Sequence, residues 1–462
     1  MFETIAAVST PPGKGGVALI RISGEDAVSV ASAMFRPLSG KPLSECEARH
    51  AVFGTICHPI TGEQIDTGLA ILYRAPASFT GEDVAEITCH GGTAVTRATL
   101  AAAFAAGAHP AGPGDFTRRA FVNGKMTLSE AQAIGLLIDA DTESRRALAA
   151  GAARGNVSRA LDRIATSLTE VLSALYAAID YPEEDVGDEG ERQILTTVQT
   201  AQCDIDALRR TYKTGQAIAE GIPTVIAGLP NSGKSSLYNA LLGREEAIVT
   251  DIPGTTRDVL SASADIGGVT LLLSDTAGIR EGNDAVEMIG VQRAKDKLAG
   301  ASLVLFVLDA GSPLSPDCTA LFEEVCALSV PTVVILNKSD RSCALTEEEI
   351  ASFTTRADYT LSLSAKTGDG MEDLRRVIAE IAGTDKLDTE NDAVIWDARQ
   401  EASLTLAYDL LGDALCGLTT GDPLDAVCTV CESALSEIRG VDGRAVDEDI
   451  IAGIFARFCV GK

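Results

Sequence analysis

Aromatic residues, histidines and long apolar runs are all scarce in this sequence of 462 residues. Aromatics make up 4% of the chain, with one tryptophan and four histidines. The longest apolar runs, such as the one from Leu303 to Leu308, have the length of a strand, whereas a membrane-spanning helix needs about 20 apolar residues. The first residues also lack a basic region followed by an apolar block. We therefore expect no membrane attachment, no secretory signal and a cytoplasmic location.

Positive charge is scarce as well. The 38 lysines and arginines are outnumbered by 66 aspartates and glutamates, which gives a net charge of −28. Because contacts to phosphates need clustered lysine and arginine, this balance excludes a surface that coats nucleic acid in general. A local basic groove, or binding through a basic partner, stays open.

The 11 cysteines are odd in number and scattered, which indicates free thiols in a reducing compartment. Cys428 and Cys431 form a lone Cys-x-x-Cys pair without a nearby histidine. We interpret this pair as neighbours on a helix rather than metal ligands.

Length and hydrophobic pattern predict a multidomain protein with α/β and α+β parts. With 46% hydrophobic residues, the chain can form roughly two or three domains that each bury a core. Residues 1–120 are predicted to form an α+β domain, and residues 121–220 and 385–462 a discontinuous helical domain. Residues 221–384 alternate strand and helix, so we expect an inserted domain with a doubly wound, mostly parallel sheet.

The stretch from Gly228 to Ser236 has the pattern of a phosphate-binding loop between a short apolar strand and a helix. Gly228 and Gly233 let the backbone curl so that successive N–H groups point at one phosphate, at the positive end of the helix. Lys234 is expected to reach the outer phosphates, and Ser235 to place its hydroxyl on Mg²⁺.

Four further motifs follow in a set order and narrow the prediction to a GTPase. Thr255 and Thr256 supply a threonine for the Mg²⁺ shell and the γ-phosphate, and the motif from Asp275 to Gly278 follows a strand. Asp340 can accept both donors of guanine, which adenine does not offer. The residues predicted to bind the nucleotide are Gly228, Asn231, Ser232, Gly233, Lys234, Ser235, Ser236, Thr255, Thr256, Asp275, Gly278, Asn337, Lys338, Asp340, Ser364, Ala365 and Lys366.

Ile279 stands where many small GTPases carry a glutamine that orients the attacking water. An apolar side chain cannot do this, so we expect the helper elsewhere, with Glu281, Asp284 and Glu287 just downstream as candidates. Asn231 could hold a monovalent cation that supplies the missing positive charge. A slow switch that needs an activating protein is the alternative.

The N-terminal part carries weaker signals. The loop from Pro11 to Gly16 is either a plain turn or an anion site. Arg21, on an otherwise apolar strand, is either paired structurally or aimed at a carboxylate ligand. Period two places Glu86, Thr88 and His90 on one strand face, and such a polar face is usually solvated.

Helical signals dominate the sequence between and after these parts. Ser129 with Gln132 predicts a capping box, followed by a helical pattern with few breaks up to Asp180. Apolar residues at spacings of three and four mark one face of a last helix: Val446, Ile450, Ile451, Ile454, Phe455 and Phe458. Cys459, beside this helix, is by default a buried and inert thiol.

Taken together, Pro11 to Gly24, Phe79 to Gly92, Pro113 to Lys125, the GTPase motifs and the terminal Phe-Cys-Val-Gly-Lys resemble the MnmE (TrmE) family of tRNA-modifying GTPases over the whole chain. The resemblance implies an N-terminal folate-binding and dimerising domain, and a helical domain split by the GTPase domain. It also implies K⁺-dependent hydrolysis of GTP and a flavin-using partner, MnmG. The complex places an aminomethyl-type group on the wobble uridine of tRNA, with carbon from a methylene-tetrahydrofolate.

The resemblance assigns roles residue by residue. It implies folate contacts at Arg21, Glu86, Lys125 and Lys462, and a K⁺ site at Asn231, Thr250, Ile252 and Thr255. Ser235 and Thr256 match ligands of Mg²⁺. Glu287 matches the glutamate that orients water, and Cys459 matches a cysteine needed for modification, which favours a functional thiol. A homodimer, tRNA and MnmG are the implied partners, and a basic partner would let an acidic chain act on tRNA without binding it tightly alone.

Two other functions stay open at this point. One is a ribosome-assembly switch like the Era and Der GTPases, which would need an RNA-binding appendage that the sequence does not display. The other is a folate-dependent one-carbon enzyme acting on a small molecule. Tetrahydrofolate binding separates the first from the remaining two, and the modified product separates the second.

Overall fold

The computed structural model describes residues 3–181, 187–243, 262–274, 300–443 and 448–461. The chain divides into two compact units, Met1–Gly135 with Glu432–Lys462 and Leu136–Cys431. The three-domain division at residues 120, 220 and 384 stays a prediction beside these two units. Within the described ranges, no helix combines the length and the apolar character that a membrane crossing requires.

The first unit contains a seven-stranded sheet in the order β3-β4-β5-β6-β2-β1-β7. All neighbouring strands are antiparallel except β1 and β7. The strands are β1 (Ile5–Val8), β2 (Val17–Ser23), β3 (Phe35–Pro37), β4 (Val52–Cys57), β5 (Gln64–Tyr73), β6 (Val84–His90) and β7 (His109–Pro110).

Side chains alternate along the strands, so one face of this sheet is buried and the other is more exposed. Ala18, Ile20 and Ile22 of β2 are buried in a core that includes residues of the helices Ala27–Met34 and Thr93–Ala105. On β6, the side chains of Glu86, Thr88 and His90 are more exposed than the residues between them, which confirms the predicted polar face.

Three more helices belong wholly or partly to this unit: Asp115–Val122, Leu128–Ile138 and Glu448–Phe455. The predicted capping box at Ser129 and Gln132 is wrong. The Thr127 amide donates to Glu130 Oε2 at 2.8 Å, and the Glu130 amide donates to Thr127 Oγ1 at 3.2 Å. Ser129 is already inside the helix and buried, so it cannot act as its cap.

The predicted apolar face of the last helix is confirmed in part. Phe455 is buried against Leu128, and Ile451, Ile454 and Phe458 pack on the same cluster. Ile450 is 47% exposed, and Phe458 follows the helix, which ends at Phe455. Val446 lies outside the described residues.

The helices of the second unit outside its sheet are Glu143–Ala153, Asn156–Asp180, Gly187–Arg210, Tyr212–Glu220 and Ala398–Thr420, with the start of Leu424–Val441. The expected helical pattern up to Asp180 is therefore interrupted. Thr142 caps one helix by accepting from the Arg145 amide, and Gly155 adopts a left-handed φ of +77°. A hydroxyl cap and a left-handed glycine are ordinary helix boundaries.

The sheet of the second unit has the order β13-β12-β11-β8-β10-β9. Its strands are β8 (Ile222–Ala227), β9 (Ala262–Ile266), β10 (Val269–Ser274), β11 (Leu303–Asp309), β12 (Thr332–Asn337) and β13 (Tyr359–Ser362). All pairs are parallel except the β9–β10 hairpin at one edge. The helices Lys234–Leu241, Pro316–Cys326, Glu347–Thr354 and Met371–Ala382 alternate with these strands, which confirms the predicted, mostly parallel sheet.

Candidate functional site

The phosphate loop follows the carboxyl end of β8, and its second glycine is the N-cap of the helix Lys234–Leu241. Gly228 has φ +143°, and a Cβ there would lie 2.4 Å from the Val307 carbonyl oxygen. Gly233 has φ +98°, and a Cβ there would lie 2.1 Å from Asn337 Nδ2. Only glycine fits either position, because both the backbone angle and the space exclude a side chain.

Lys234 and the serines after it lie where a phosphate chain would meet the helix. The Lys234 ammonium donates to the carbonyl oxygens of Gly228 at 2.8 Å and Leu229 at 2.7 Å. Ser235 and Ser236 are exposed in the first helical turn. Their hydroxyls and the N–H groups of this turn suit an anion and its counterion.

Asn337 joins the phosphate loop to the segment at Ser364. Its Nδ2 donates to the Ser232 carbonyl at 3.0 Å, and its Oδ1 accepts from the Ala365 amide at 3.1 Å. Asn337 is 2% exposed. Motifs more than a hundred residues apart in sequence are therefore brought together at the carboxyl edge of the parallel sheet, as expected for this class of fold.

Asp340 is the residue that is predicted to accept hydrogen bonds from guanine. Ser364 Oγ donates to its Oδ1 at 2.7 Å, and this hydrogen bond is the main reason that the pKa of Asp340 lies below its usual value. The carboxylate is therefore ionised at neutral pH. Lys366 is exposed beside the same segment.

Asp309, the last residue of β11, is a member of the site that the sequence reasoning missed. Its Oδ2 lies 2.7 Å from Lys338 Nζ, and its carboxylate also accepts from the Gly311 amide and the Ser312 hydroxyl. Burial raises the pKa of Asp309, but these hydrogen bonds outweigh it and hold the pKa below the usual value. Its position at the end of an apolar strand beside β8 was a signal that could have found it.

Several predicted residues lie outside the described ranges. These are Thr250, Ile252, Thr255 and Thr256, the motif residues Asp275 and Gly278, the candidate water-orienting residues Ile279, Glu281, Asp284 and Glu287, and Lys462. The structure therefore describes the phosphate loop and the segments at Asn337 and Ser364 that are predicted to contact guanine.

In the first unit, two of the predicted folate residues form one ion pair. Arg21 donates to Glu86 Oε1 from Nε at 3.0 Å and from Nη2 at 2.9 Å. The guanidinium carbon lies 5.2 Å from the centroid of the Phe79 ring and 5.7 Å from that of Phe116. Tyr73 Oη donates to Glu86 Oε2 at 3.3 Å. Arg21 was predicted either to form a structural ion pair or to point at a carboxylate ligand, and in the structure it forms the ion pair.

Lys125 lies beside the loop that also supplies Phe79. Its ammonium donates to the Pro76 carbonyl at 3.0 Å, and a Cβ on Gly81 would lie 3.3 Å from Lys125 Cγ. This loop, residues 76–81, thus contacts both Arg21 and Lys125. It is the element that brings the two predicted cations to one region.

A second ion pair fixes the end of this loop and was not predicted. Arg119 donates to Glu82 Oε2 at 2.9 Å and to the Ser23 carbonyl at 3.3 Å. Ser23 Oγ in turn contacts both Glu82 Oε2 at 2.8 Å and Thr80 Oγ1 at 2.7 Å. Arg119 is 7% exposed, so this buried ion pair fixes the end of the loop to the interior of the unit.

Cys459 is exposed, and the default expectation of a buried thiol is wrong. The segment after the last helix lies along the loops that follow β1 and β7. The Gly114 amide donates to the Cys459 carbonyl at 3.4 Å, Ser9 Oγ donates to the Gly461 carbonyl at 2.8 Å, and Val460 pairs with Pro113. We call residues 459–461 the tail segment.

Cys428 and Cys431 are neighbours on the helix Leu424–Val441, as predicted, and both are buried. Burial raises the pKa of Cys431 to about 11, so its thiol does not ionise at neutral pH. Within the described residues, no group of three or more potential ligands is arranged to hold a metal ion.

These features define a P-loop protein that binds guanine nucleotides: the mostly parallel sheet, the phosphate loop bounded by two glycines, and the motif from Asn337 to Asp340. Residues 4–125 match the family described as the N-terminus of the GTP-binding protein TrmE, and residues 128–459 match the MnmE helical domain. The chain belongs to the MnmE family of tRNA modification GTPases. It is therefore a GTP-hydrolysing enzyme of tRNA modification, and the family prediction is confirmed.

Curated relatives match along their whole length. A tRNA modification GTPase MnmE from Heliobacterium modesticaldum is 40% identical over 468 residues, covering 100% of this chain and 99% of that protein. The Bacillus velezensis protein of the same name is 40% identical and covers 100% of both chains. The Clostridioides difficile protein is 36% identical, with 100% of this chain and 99% of that protein covered.

Proposed function

We propose that this chain is the K⁺-stimulated, GTP-hydrolysing subunit of a complex that modifies C5 of the wobble uridine in tRNA. The added group is aminomethyl or carboxymethylaminomethyl, and its first carbon comes from a methylene-tetrahydrofolate. The partners in this proposal are a second copy of the chain, the flavoprotein MnmG and the tRNA substrate. Similarity to MnmE proteins over the full length of both chains carries the proposal.

The first unit has side chains that suit a reduced folate. Glu86 offers a carboxylate oriented from both sides by Arg21 and Tyr73, and a carboxylate suits the paired N–H donors of a pterin edge. Phe79 and Phe116 provide aromatic surface beside it. Lys125, and by the family resemblance Lys462, would pair with the glutamyl carboxylates. The bound folate would supply the one-carbon unit, and these residues would hold and orient it.

The second unit has side chains that suit GTP and its ions. Lys234 and the backbone amides at the helix start would neutralise phosphates, and Asp340 would select guanine. Ser235 offers an exposed hydroxyl oxygen, the type of ligand that Mg²⁺ prefers, with Thr256 as the second protein ligand. For K⁺, Asn231 has φ +63° and is exposed, and it would act with Thr250, Ile252 and Thr255. Glu287 would orient the attacking water.

Nucleoside mass spectrometry tests the modification. We would analyse tRNA from cells that lack this chain and that are rescued with native chain, with Cys459→Ser, or with Cys416→Ser as a matched control at another exposed cysteine. We expect the 5-substituted wobble uridine to disappear in the deletion and to return with the native chain and with Cys416→Ser only. Rescue by Cys459→Ser would remove that thiol from the chemistry. Unchanged nucleosides in the deletion would contradict the tRNA role.

Hydrolysis rates test the cation. We expect GTP hydrolysis by the native chain to be faster in K⁺ than in Na⁺ of equal ionic strength. Asn231→Ala should lose this stimulation while it keeps most of its nucleotide affinity, because Lys234 and the backbone amides of the loop would still bind the phosphates. Equal rates of the native chain in the two salts would refute the K⁺ proposal.

A further inference from the structure

A cavity of about 1050 Å³ opens in the first unit beside the tail segment. Its walls include β1 and β2 with the loop between them, the helix Thr93–Ala105, Pro110 and Ala111 at the end of β7, and Cys459 with Val460. Pockets for small organic ligands are commonly about 300–1000 Å³. The cavity is therefore large enough for one nucleotide unit.

The lining of this cavity is positively charged. Lys14 and Arg97 contribute to it, and none of the described residues that line it is an aspartate or glutamate, although the chain carries a net charge of −28. Both side chains are exposed. Neither forms an ion pair or a side-chain hydrogen bond with another residue in the part of the chain that the structure describes. Two unpaired cations without a neighbouring carboxylate favour an anionic ligand.

The remaining walls are largely apolar. Leu100 and Phe104 come from the helix, and Val17 and Val460 from β2 and the tail segment. Proteins that recognise single-stranded RNA place bases on aromatic and aliphatic side chains while lysine and arginine contact the phosphates. Enzymes that act on a base take it out of its stack into such a pocket.

The cavity adjoins the region of the predicted folate residues but does not include them. Arg21 and Glu86 do not line it. Ala18 lines it from the core on the opposite face of β2 from Arg21. Ala7 and Ala111 line it from the cluster that contains Phe116, so the two regions share a wall. The exposed thiol of Cys459 lines the cavity, and the next residues of the chain lead to Lys462, a predicted folate contact.

We propose that this cavity receives a nucleotide of the tRNA substrate. Lys14 and Arg97 bind the phosphates on either side, the apolar walls with Phe104 hold the base, and Cys459 faces the bound nucleotide. This inference rests on the proposed function and deepens it, since it names the part of this acidic chain that contacts RNA.

The first test uses the full chain with its flavoprotein partner. We would compare Lys14→Ala/Arg97→Ala with the charge-keeping Lys14→Arg/Arg97→Lys, and measure modification of a defined tRNA transcript against its concentration at several salt concentrations. We expect KM for tRNA to rise roughly tenfold in the alanine variant and the slope of log affinity against log salt to decrease by about 2, as for two lost phosphate contacts. The charge-keeping variant should keep most of both values, and GTP hydrolysis and tetrahydrofolate binding should stay unchanged in all variants.

An unchanged KM and salt slope in an alanine variant that still modifies tRNA would overturn the cavity assignment and leave the proposed function intact. Absence of the wobble modification with native chain would instead contradict the proposed function. If the double variant loses both GTP hydrolysis and tRNA modification, the result would indicate a folding defect. The single variants Lys14→Ala and Arg97→Ala would then be measured in its place, each with an expected salt-slope change of about 1.

The second test asks what covers Cys459. Alkylation of each cysteine would be followed by peptide mass spectrometry with an anticodon stem–loop RNA, with tetrahydrofolate, and at rising protein concentration. We expect the RNA to slow labelling of Cys459 severalfold and to leave Cys416 unchanged, while buried Cys431 reacts slowly throughout. Protection by tetrahydrofolate and not by RNA, or by protein concentration alone, would assign the cavity to the folate or to a second copy and overturn the proposal.

Discussion

The ammonium of Lys338 lies 2.7 Å from Asp309 Oδ2 and 2.8 Å from the carbonyl oxygen of Asn231. One side chain thus connects the guanine-reading motif, the end of β11 and the phosphate loop. Lys338 has a φ of +66° and Asn231 a φ of +63°, a conformation that is uncommon for residues other than glycine. The contacts of the ammonium stabilise both unusual conformations, and we expect Asp309 to act on the nucleotide site through Lys338.

Asp309→Asn should weaken guanine-nucleotide binding. The substitution removes the charge partner of a partly buried lysine, and we expect a loss of about 1 kcal/mol, or roughly fivefold in Kd. The rate at saturating GTP should change by less than about twofold, because we expect Asp309 to act through Lys338 and the phosphate loop rather than on the reacting phosphate. Titration with a fluorescent GDP analogue measures the Kd. Asp413→Asn, an exposed carboxylate on the helix Ala398–Thr420, is the control, and equal affinities in the two variants would contradict a positioning role.

The Arg21–Glu86 pair should show coupling in a double-mutant cycle. The two side chains are 15% and 17% exposed, so removal of one partner leaves a poorly solvated charge. We expect Glu86→Gln and Arg21→Met each to lower the free energy of unfolding by about 1–3 kcal/mol, with a coupling of at least about 0.5 kcal/mol between them. Urea unfolding provides the values. Strictly additive effects would show that the pair does not stabilise the fold, and tetrahydrofolate titration of the same variants tests its binding role.

Asp66 should contribute to stability in a pH-dependent way. Burial raises its pKa, but hydrogen bonds from the His90 amide at 2.8 Å and from the His90 ring outweigh this and bring the pKa below its ordinary value of 3.8. A carboxyl whose pKa is lowered by folding stabilises the protein above its unfolded pKa and loses this effect as pH falls through the folded one.

Asp66→Asn should therefore lower the urea midpoint at pH 7 more than at pH 3. The matched control is Asp26→Asn, an exposed carboxylate that makes no capping hydrogen bond. It should show no such difference between the two pH values. A deficit of Asp66→Asn that grows toward pH 3 would have the wrong sign for this explanation.

Gly68→Ala should destabilise the sheet of the first unit. A Cβ at this position of β5 would lie 1.9 Å from the Thr88 carbonyl oxygen of β6, and backbone cannot move away cheaply. We expect a cost of about 2 kcal/mol or more. Gly440→Ala is the control, because a Cβ there meets nothing within 4 Å, and alanine in a helix should stabilise by roughly 0.5–1 kcal/mol. Thermal or urea unfolding distinguishes the two, and equal stabilities would show that the sheet adapts.

Motifs with a fixed spacing could be predicted from sequence, because their geometry is local. Gly228, Gly233 and Lys234 belong to one short loop whose backbone conformation depends on neighbouring residues. The apolar strand before this loop could be recognised from its composition. The order of the motifs then implied the parallel sheet, since each had to follow a strand. For this reason a candidate nucleotide site could be predicted from sequence, and the structure brings its phosphate loop and the Asn337 segment together.

Long-range partners could not be predicted in the same way. Asp309 meets Lys338 only because β11 and β12 pair in one register, and Arg119 reaches Glu82 across residues far apart in sequence. The misplaced capping box has another cause: Thr127 with Glu130 and Ser129 with Gln132 both fit the pattern, and burial of Ser129 decides between them. Exposure of Cys459 depends on the pairing of Val460 with Pro113, which has no local signal.

The membership of residues 432–461 in the same unit as residues 3–135 has a consequence for biosynthesis. Domains generally fold as the ribosome delivers them, the N-terminal part first. Here the first sheet leaves the ribosome long before the last helix and the tail segment of its own unit. These are translated only after the entire nucleotide-binding unit. A messenger RNA truncated near the end of its reading frame would therefore yield a chain that contains the phosphate loop but lacks the C-terminal part of the first unit. The thiol of Cys459 would join its cavity only on chains translated through the tail segment.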